Sequence, residues 1–147
     1  MPLYREALHE LRSIFGPQHP DTLLSAKNLA TMLASLGRDG EAEPLLVEVM
    51  EAQRATLGSL HPSTLASLTA LAKALRAQGK NGAAEGLLRE SLAGHCTVLG
   101  RGHPDTRHVC LELVHVLVKL GKETEITELD AQWKFAVSVA HGVVTLE

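Results

Sequence analysis

The chain has 147 residues, 45% of them hydrophobic but only 3% aromatic, and a formal net charge of −3. That length and apolar share suit one core-burying domain, and an interior filled by Leu, Ala and Val favours closely packed helices over strands. The absence of a basic run or stacking aromatics argues against nucleic-acid binding, and no apolar run or basic leader points to a membrane or to export. With two cysteines, Cys96 and Cys110, there is no disulfide framework, and a reducing, cytoplasmic setting is expected.

The first predicted element is a helix from Pro2 to Phe15. After it comes "GPQHPDTL" at Gly16, which recurs as "GSLHPSTL" at Gly58 and as "GRGHPDTR" at Gly100, a spacing of 42 residues both times. The frame extends further. Leu33 matches Leu75 and Leu117, Gly37 matches Gly79 and Gly121, and Ala42-Glu43 matches Ala84-Glu85. A period of this size marks a solenoid of stacked helical units.

Within each unit the apolar spacing predicts two antiparallel helices. Helix A runs over about Pro20 to Leu36, with Ala26, Leu29, Ala30 and Leu33 inward, and Gly37 supplies the left-handed residue that ends it. Asp39, or Asn81 in the next unit, is the expected N-cap of helix B. That helix buries Leu45, Leu46, Val49 and Met50 and ends at Leu57-Gly58. The tripeptide His19-Pro20-Asp21 is thereby explained as a helix start. Pro20, Pro62 and Pro104 stand where a missing N–H costs nothing, and Asp21 and Asp105 favour the helix dipole. An HPD loop of the J-domain kind would not need three copies in one structural slot.

"PLYREAL" at Pro2 aligns with "PLLVEVM" at Pro44, so the chain opens on a helix B. The second helix B contains Gly82, Gly86 and Gly94 and should be the weak one, since an interior glycine costs on the order of 1 kcal/mol. The third unit departs most, with Val114, Ile126 and Asp130 at positions held by alanine, alanine and leucine before. A C-terminal helix is expected to continue it, burying Ile126, Leu129, Trp133, Ala136, Val137 and Ala140; in the alternative, Gly142 ends that helix and the tail folds back over it within one chain. Trp133, Phe135, Val139 and Val143 would form an apolar patch suited to a homodimer interface. The division is 1–15, 16–57, 58–99 and 100–147 within one domain.

"HPDT", "NLATMLASLG" at Asn28, "EAEPLL" at Glu41 and the closing "LG" resemble the tetratricopeptide repeat, in the 42-residue variety of kinesin light chains and related proteins. The resemblance covers nearly the whole chain. It implies an all-α, right-handed superhelical solenoid, about three repeats after a leading half repeat, whose helix A faces line a concave peptide-binding groove. The residues carried to that groove by the frame are Lys27, Asn28 and Thr31, then Thr69, Lys73 and Arg76, then His108, Glu112, His115 and Lys119. An asparagine that clamps the ligand backbone in kinesin light chains is kept as Asn28 but replaced at Ala70 and Glu112. The excess of Lys and Arg over Glu112 in this stripe implies an acidic peptide.

Other chemistry is weakly supported. His95, Cys96, His103, His108 and Cys110 cluster in sequence, but Cys110 aligns with core positions and Cys96 with Arg54, expected to be exposed. No metal or other cofactor is expected. Carboxylates such as Glu41, Glu43, Glu48 and Glu51 read as solvated helix faces, no base stands beside a nucleophile, and the glycines are single punctuation marks. The expected function is a non-catalytic protein-interaction module. The alternative is a structural, self-associating segment of a larger scaffold.

Overall fold

The computed structural model describes residues 2–133, 137–140 and 143–146. Its helices are α1 (Pro2–Phe15), α2 (Pro20–Ser35), α3 (Asp39–Leu57), α4 (Pro62–Ala77), α5 (Asn81–Val98), α6 (Pro104–Lys119) and α7 (Glu123–Trp133). Consecutive helices pack on one another along the chain, from α1 on α2 to α6 on α7. Helices α2, α4 and α6 are the A helices, and α1, α3, α5 and α7 the B helices.

The turns repeat in detail. Gly37, Gly79 and Gly121 adopt φ of 73°, 79° and 71°. Each lets the chain leave helix A through a pair of backbone bonds, such as Arg38 N–H to Leu33 C=O at 2.8 Å and Gly37 N–H to Ala34 C=O at 3.0 Å. At the other end, the histidine before each proline is the N-cap. Nδ1 of His19, His61 and His103 accepts the backbone N–H of Asp21, Ser63 and Asp105 at 3.2, 3.1 and 3.1 Å. The cap of helix B differs from expectation. Asp39 and Asn81 are the first helical residues, and Arg38 and Lys80 sit at the cap without a side-chain bond to the backbone N–H groups of the first turn.

Ala26, Ala30, Ala42, Ala72 and Ala84 are fully buried, so the helices approach closely around Leu29, Leu33, Leu68, Leu88, Leu113 and Leu117. Val114 is fully buried too, and Ile126 and Leu129 anchor α7 to the same core. Gly94 in α5 is not a defect. A Cβ there would lie 2.4 Å from Leu65 Cδ2 of α4, so the glycine sets the approach of the two helices, whereas Gly82 and Gly86 face open space.

The B helices are tied across repeats. Arg12 pairs with Glu48, and its repeat equivalent Arg54 pairs with Glu90 at 2.5 Å. Glu43 takes Lys80 at 3.0 Å, and Glu85 takes Lys122 at 2.9 Å and its own helix's Arg89 at 3.2 Å. Glu41, Glu43 and Glu48 are therefore held in ion pairs rather than left as free solvated charges. Burial by itself would raise the Glu85 carboxyl, but hydrogen bonds from Lys122 and Arg89 outweigh it and hold the group below the ordinary range.

The C-terminal helix does not continue as the apolar pattern suggested. Helix α7 ends at Trp133, and strands β1 (Val137–Ala140) and β2 (Val143–Leu146) pair antiparallel, with Val137 opposite Leu146 and Ala140 opposite Val143. Val137, Val139, Val143, Val144 and Thr145 are β-branched and alternate or cluster as strands prefer, so local propensity overrides the helical reading. Strand β2 runs beside α6. Ala136 and Gly142 lie outside the described residues. No helix among the described residues is long and apolar enough to cross a membrane.

Candidate functional site

Antiparallel neighbours make α4 and α6 parallel to each other, and their outward stripes form one wall each of a furrow. At its amino-terminal end is a cavity of about 280 Å³ lined by Ala66, Thr69, Lys73, His95, Asp105 and His108. Towards the other end is one of about 780 Å³ lined by Arg76, Ala77, Asn81, His115, Val118 and Lys119. Six of the ten residues expected in the groove, namely Thr69, Lys73, Arg76, His108, His115 and Lys119, line these two spaces. The first has a repeat equivalent, a cavity of about 430 Å³ lined by Leu24, Lys27, Gln53 and Ser63 among others, each 42 residues before Ala66, Thr69, His95 and Asp105. Asn28 and Thr31 belong to α2, where the Thr31 hydroxyl is exposed and donates to Lys27 C=O at 2.9 Å.

Two expected ligand contacts are committed internally. Thr69 is 9% exposed, donates to Leu65 C=O at 3.1 Å and shares a 2.8 Å bond with the Ser91 hydroxyl of α5. It ties helix A to helix B and contributes little more than its methyl group to the wall. Arg76 lies 2.8 Å from Glu112 across the furrow. The contact is an ion pair without hydrogen-bond alignment, because Glu112 Oε2 has no geometrically good donor. His108 approaches the other Glu112 oxygen at 3.9 Å. Lys27, Lys73 and Lys119 make no ion pair among the described residues, so the positive excess survives along this face but is smaller than the residue types suggested.

Ser91, His95 and Thr69 meet in the buried seam below the first cavity. His95 Nδ1 lies 2.8 Å from Ser91 C=O, which can only accept, so Nδ1 carries the proton and cannot act as base towards the Ser91 hydroxyl 3.2 Å away. The seam is a satisfied polar bridge and not a nucleophile–base pair. Of the other buried hydroxyls, Thr22 and Thr64 donate to Leu11 C=O at 3.3 Å and to Gly58 C=O at 2.8 Å, tying α2 and α4 to the element before each, and Ser67 donates to Gln53 Oε1 at 2.6 Å; Thr106 Oγ1, at the equivalent place on α6, makes no such bond among the described residues.

Both cysteines are free. Cys110 is fully buried, and desolvation, then the charges of Cys96 and Asp130, push its thiol up to about 12. Cys96 is half-buried and packs against the core instead of standing exposed like a surface arginine. Among the described residues no three His, Cys, Asp or Glu side chains are placed to hold a metal ion. Of the residues expected at a dimer interface, Trp133 is half-buried against its own core, and Phe135 lies outside the described residues. Val139 and Val143 are placed on β1 and β2 by their backbone alone.

The missed interactions had a sequence signal. Arg5/Glu41, Arg12/Glu48, Arg54/Glu90, Arg76/Glu112 and Arg89/Glu125 are all separated by 36 residues, a spacing distinct from the 42-residue period.

A family model described as tetratricopeptide repeat matches residues 26–96. A solved structure from Podosopora anserina, described as kinesin light chain nearly identical TPR-like repeats, is 32% identical with a TM-score of 0.81, covering 89% of this chain and 62% of that one. A point variant of it gives the same values. BtubC (BKLC) from P. vanneervenii has a TM-score of 0.77 at 17% identity, over 89% of this chain and 52% of that one, a likeness of fold alone. The chain thus spans less than two thirds of the length of these solved relatives. No curated protein matches it. The period, the helix pairs, the family match and the structural neighbours agree: this chain carries tetratricopeptide repeats of the 42-residue, kinesin light chain-like type, an architecture that serves protein–protein interaction.

Proposed function

We propose that the protein is a non-catalytic interaction module whose concave helix A face binds an acidic peptide segment of a partner protein in a reducing, cytoplasmic setting. The observation that carries this reading is the furrow between α4 and α6. Its two cavities share walls bearing Lys73, Arg76, His108, His115 and Lys119, with carboxylates only from Asp105 at one end and from Glu112, already held by Arg76. Lys27 extends the same sign to the repeat-equivalent cavity on α2.

A ligand carboxylate would meet Lys73 or Lys119 without displacing an internal partner. Arg76 is a poorer contact, since freeing it strands the largely buried Glu112. Such rim charges act mainly on association rate and lose effect as salt is raised. The test is fluorescence anisotropy with labelled peptides rich in carboxylates, beside counterparts in which lysines replace them. The acidic set should bind the parent, weaken with salt, and lose roughly tenfold or more in affinity in Lys73→Glu with Lys119→Glu, while helical circular dichroism is retained. Equal binding of both peptide sets, or an unchanged affinity in the double variant, would refute the groove assignment.

A further inference from the structure

The cavity beside α2 and its repeat equivalent between α4 and α6 differ in one buried acceptor. Beside α2, Gln53 of α3 is engaged internally, its Oε1 accepting the Ser67 hydroxyl of α4 at 2.6 Å. One period later the same two positions hold His95 and Val109, and valine has no donor to give. His95 is 6% exposed and lines the cavity between α4 and α6. Its Nδ1 holds the proton against Ser91 C=O, so in the uncharged ring Nε2 is a lone-pair acceptor. Nε2 takes no hydrogen bond among the described residues, and it is not sealed within the core. A largely buried acceptor without a donor is costly, and the cavity is the side from which a donor can reach it.

The other lining residues change in the same direction. Ala66 stands where the α2 cavity has Leu24, which leaves more room, and Asp105 stands where it has Ser63, which adds a second acceptor. Lys73 faces the same space as a donor that makes no ion pair among the described residues. We infer that His95 is a specificity-determining residue of the groove, and that this cavity takes a primary carboxamide, the side chain of an Asn or Gln in the bound acidic segment. The inference rests on the peptide-binding reading given above. A carboxamide matches the whole set: its N–H groups donate to His95 Nε2 and Asp105, and its oxygen accepts from Lys73. A hydroxyl brings a single donor, an ammonium adds like charge beside Lys73, and a carboxylate has no hydrogen for Nε2. At about 280 Å³ the cavity has room for such a side chain.

The probes are labelled peptides of alternating Glu and Gly with one central position X, titrated against the full chain by fluorescence anisotropy. X is Asn or Gln, the apolar near-isosteres Leu or Met, or Glu. In the parent, a carboxamide at X should bind about tenfold tighter than its apolar counterpart and than Glu. His95→Gln keeps an acceptor at this place and should keep the preference. Adding Val109→Ser to it rebuilds the Gln53–Ser67 pair of the preceding repeat, so the double variant should retain its helical circular dichroism yet bind every X alike. Imidazole nitrogen spectra of the parent give a readout that a purely structural role would not move. The His95 Nε2 signal should shift with the carboxamide peptide and stay in place with the apolar one. Acidic peptides that bind without preference at X overturn this inference and leave the groove reading standing, whereas peptides that do not bind at all overturn both. Glu at X binding as tightly as the carboxamides makes the occupant a carboxylate and also overturns it, as does a preference that survives in the double variant.

Discussion

The three histidine caps give the sharpest test of how this array is held together, and His61 is the one to change. His19 also stacks on Phe15 at a centroid distance of 4.5 Å and lies 3.9 Å from Asp21, and His103 lies 3.8 Å from Asp105. Substitutions there would mix several losses. His61 is exposed, and its side chain serves as the acceptor of the Ser63 N–H at 3.1 Å. Pro62 at the first helical position has no N–H, so the ring serves the first donor that α4 possesses. His61→Ala removes that acceptor and opens no cavity, so the cost is that of a cap, about 1 kcal/mol. The backbone bond from Leu65 N–H to His61 C=O at 3.0 Å is retained.

Spread over an array of this size, that cost lowers Tm by about 3–5 °C. Urea and thermal melts followed by circular dichroism measure it. His61→Asn restores a side-chain acceptor and should recover most of the loss. Changing all three histidines to alanine should cost about 3 kcal/mol if the caps act independently, a sizeable fraction of the roughly 5–15 kcal/mol typical of a domain. An alanine variant that melts with the parent, or an asparagine variant no better than alanine, would refute the capping role.

The glycines of α5 should separate in sign. Gly86→Ala fills open space and gains about 0.5–1 kcal/mol of helix propensity, while Gly94→Ala drives a methyl into Leu65 and should destabilise by about 1–3 kcal/mol; the reverse order in urea melts would contradict the packing. The depressed Glu85 carboxyl contributes stability that is present above its ordinary range and lost as pH falls through its lower folded value. Glu85→Gln should therefore be less stable than the parent near neutrality and show a shallower loss on acidification. Parallel stability curves from neutral pH down through the carboxylate range would show that the Lys122 and Arg89 contacts carry no linkage.

The sequence alone determined the local grammar of this protein. A glycine that can hold positive φ ends each helix A, a proline opens the next, and apolar residues at helical spacing mark the buried stripes, because each of these choices is made within a few residues of backbone. The 42-residue frame then required antiparallel helix pairs stacked in order. The same frame carried Lys73, His115 and Lys119 to the walls of the furrow, where among the described residues no ion pair with another helix competes for them. It failed where the partner lies on another helix. Whether Arg76 faces a ligand or Glu112, and whether Thr69 faces solvent or Ser91, depends on how far one helix slides along the next. The arginine–glutamate rungs at a separation of 36 arise for the same reason, since that number is the repeat length less the stagger between neighbouring equivalent helices. At the carboxy terminus the apolar pattern allowed a helix or strands, and short apolar runs do not distinguish them by period. Beyond Trp133 the β-branched residues pair with one another as β1 and β2, so the chain leaves the helical solenoid there.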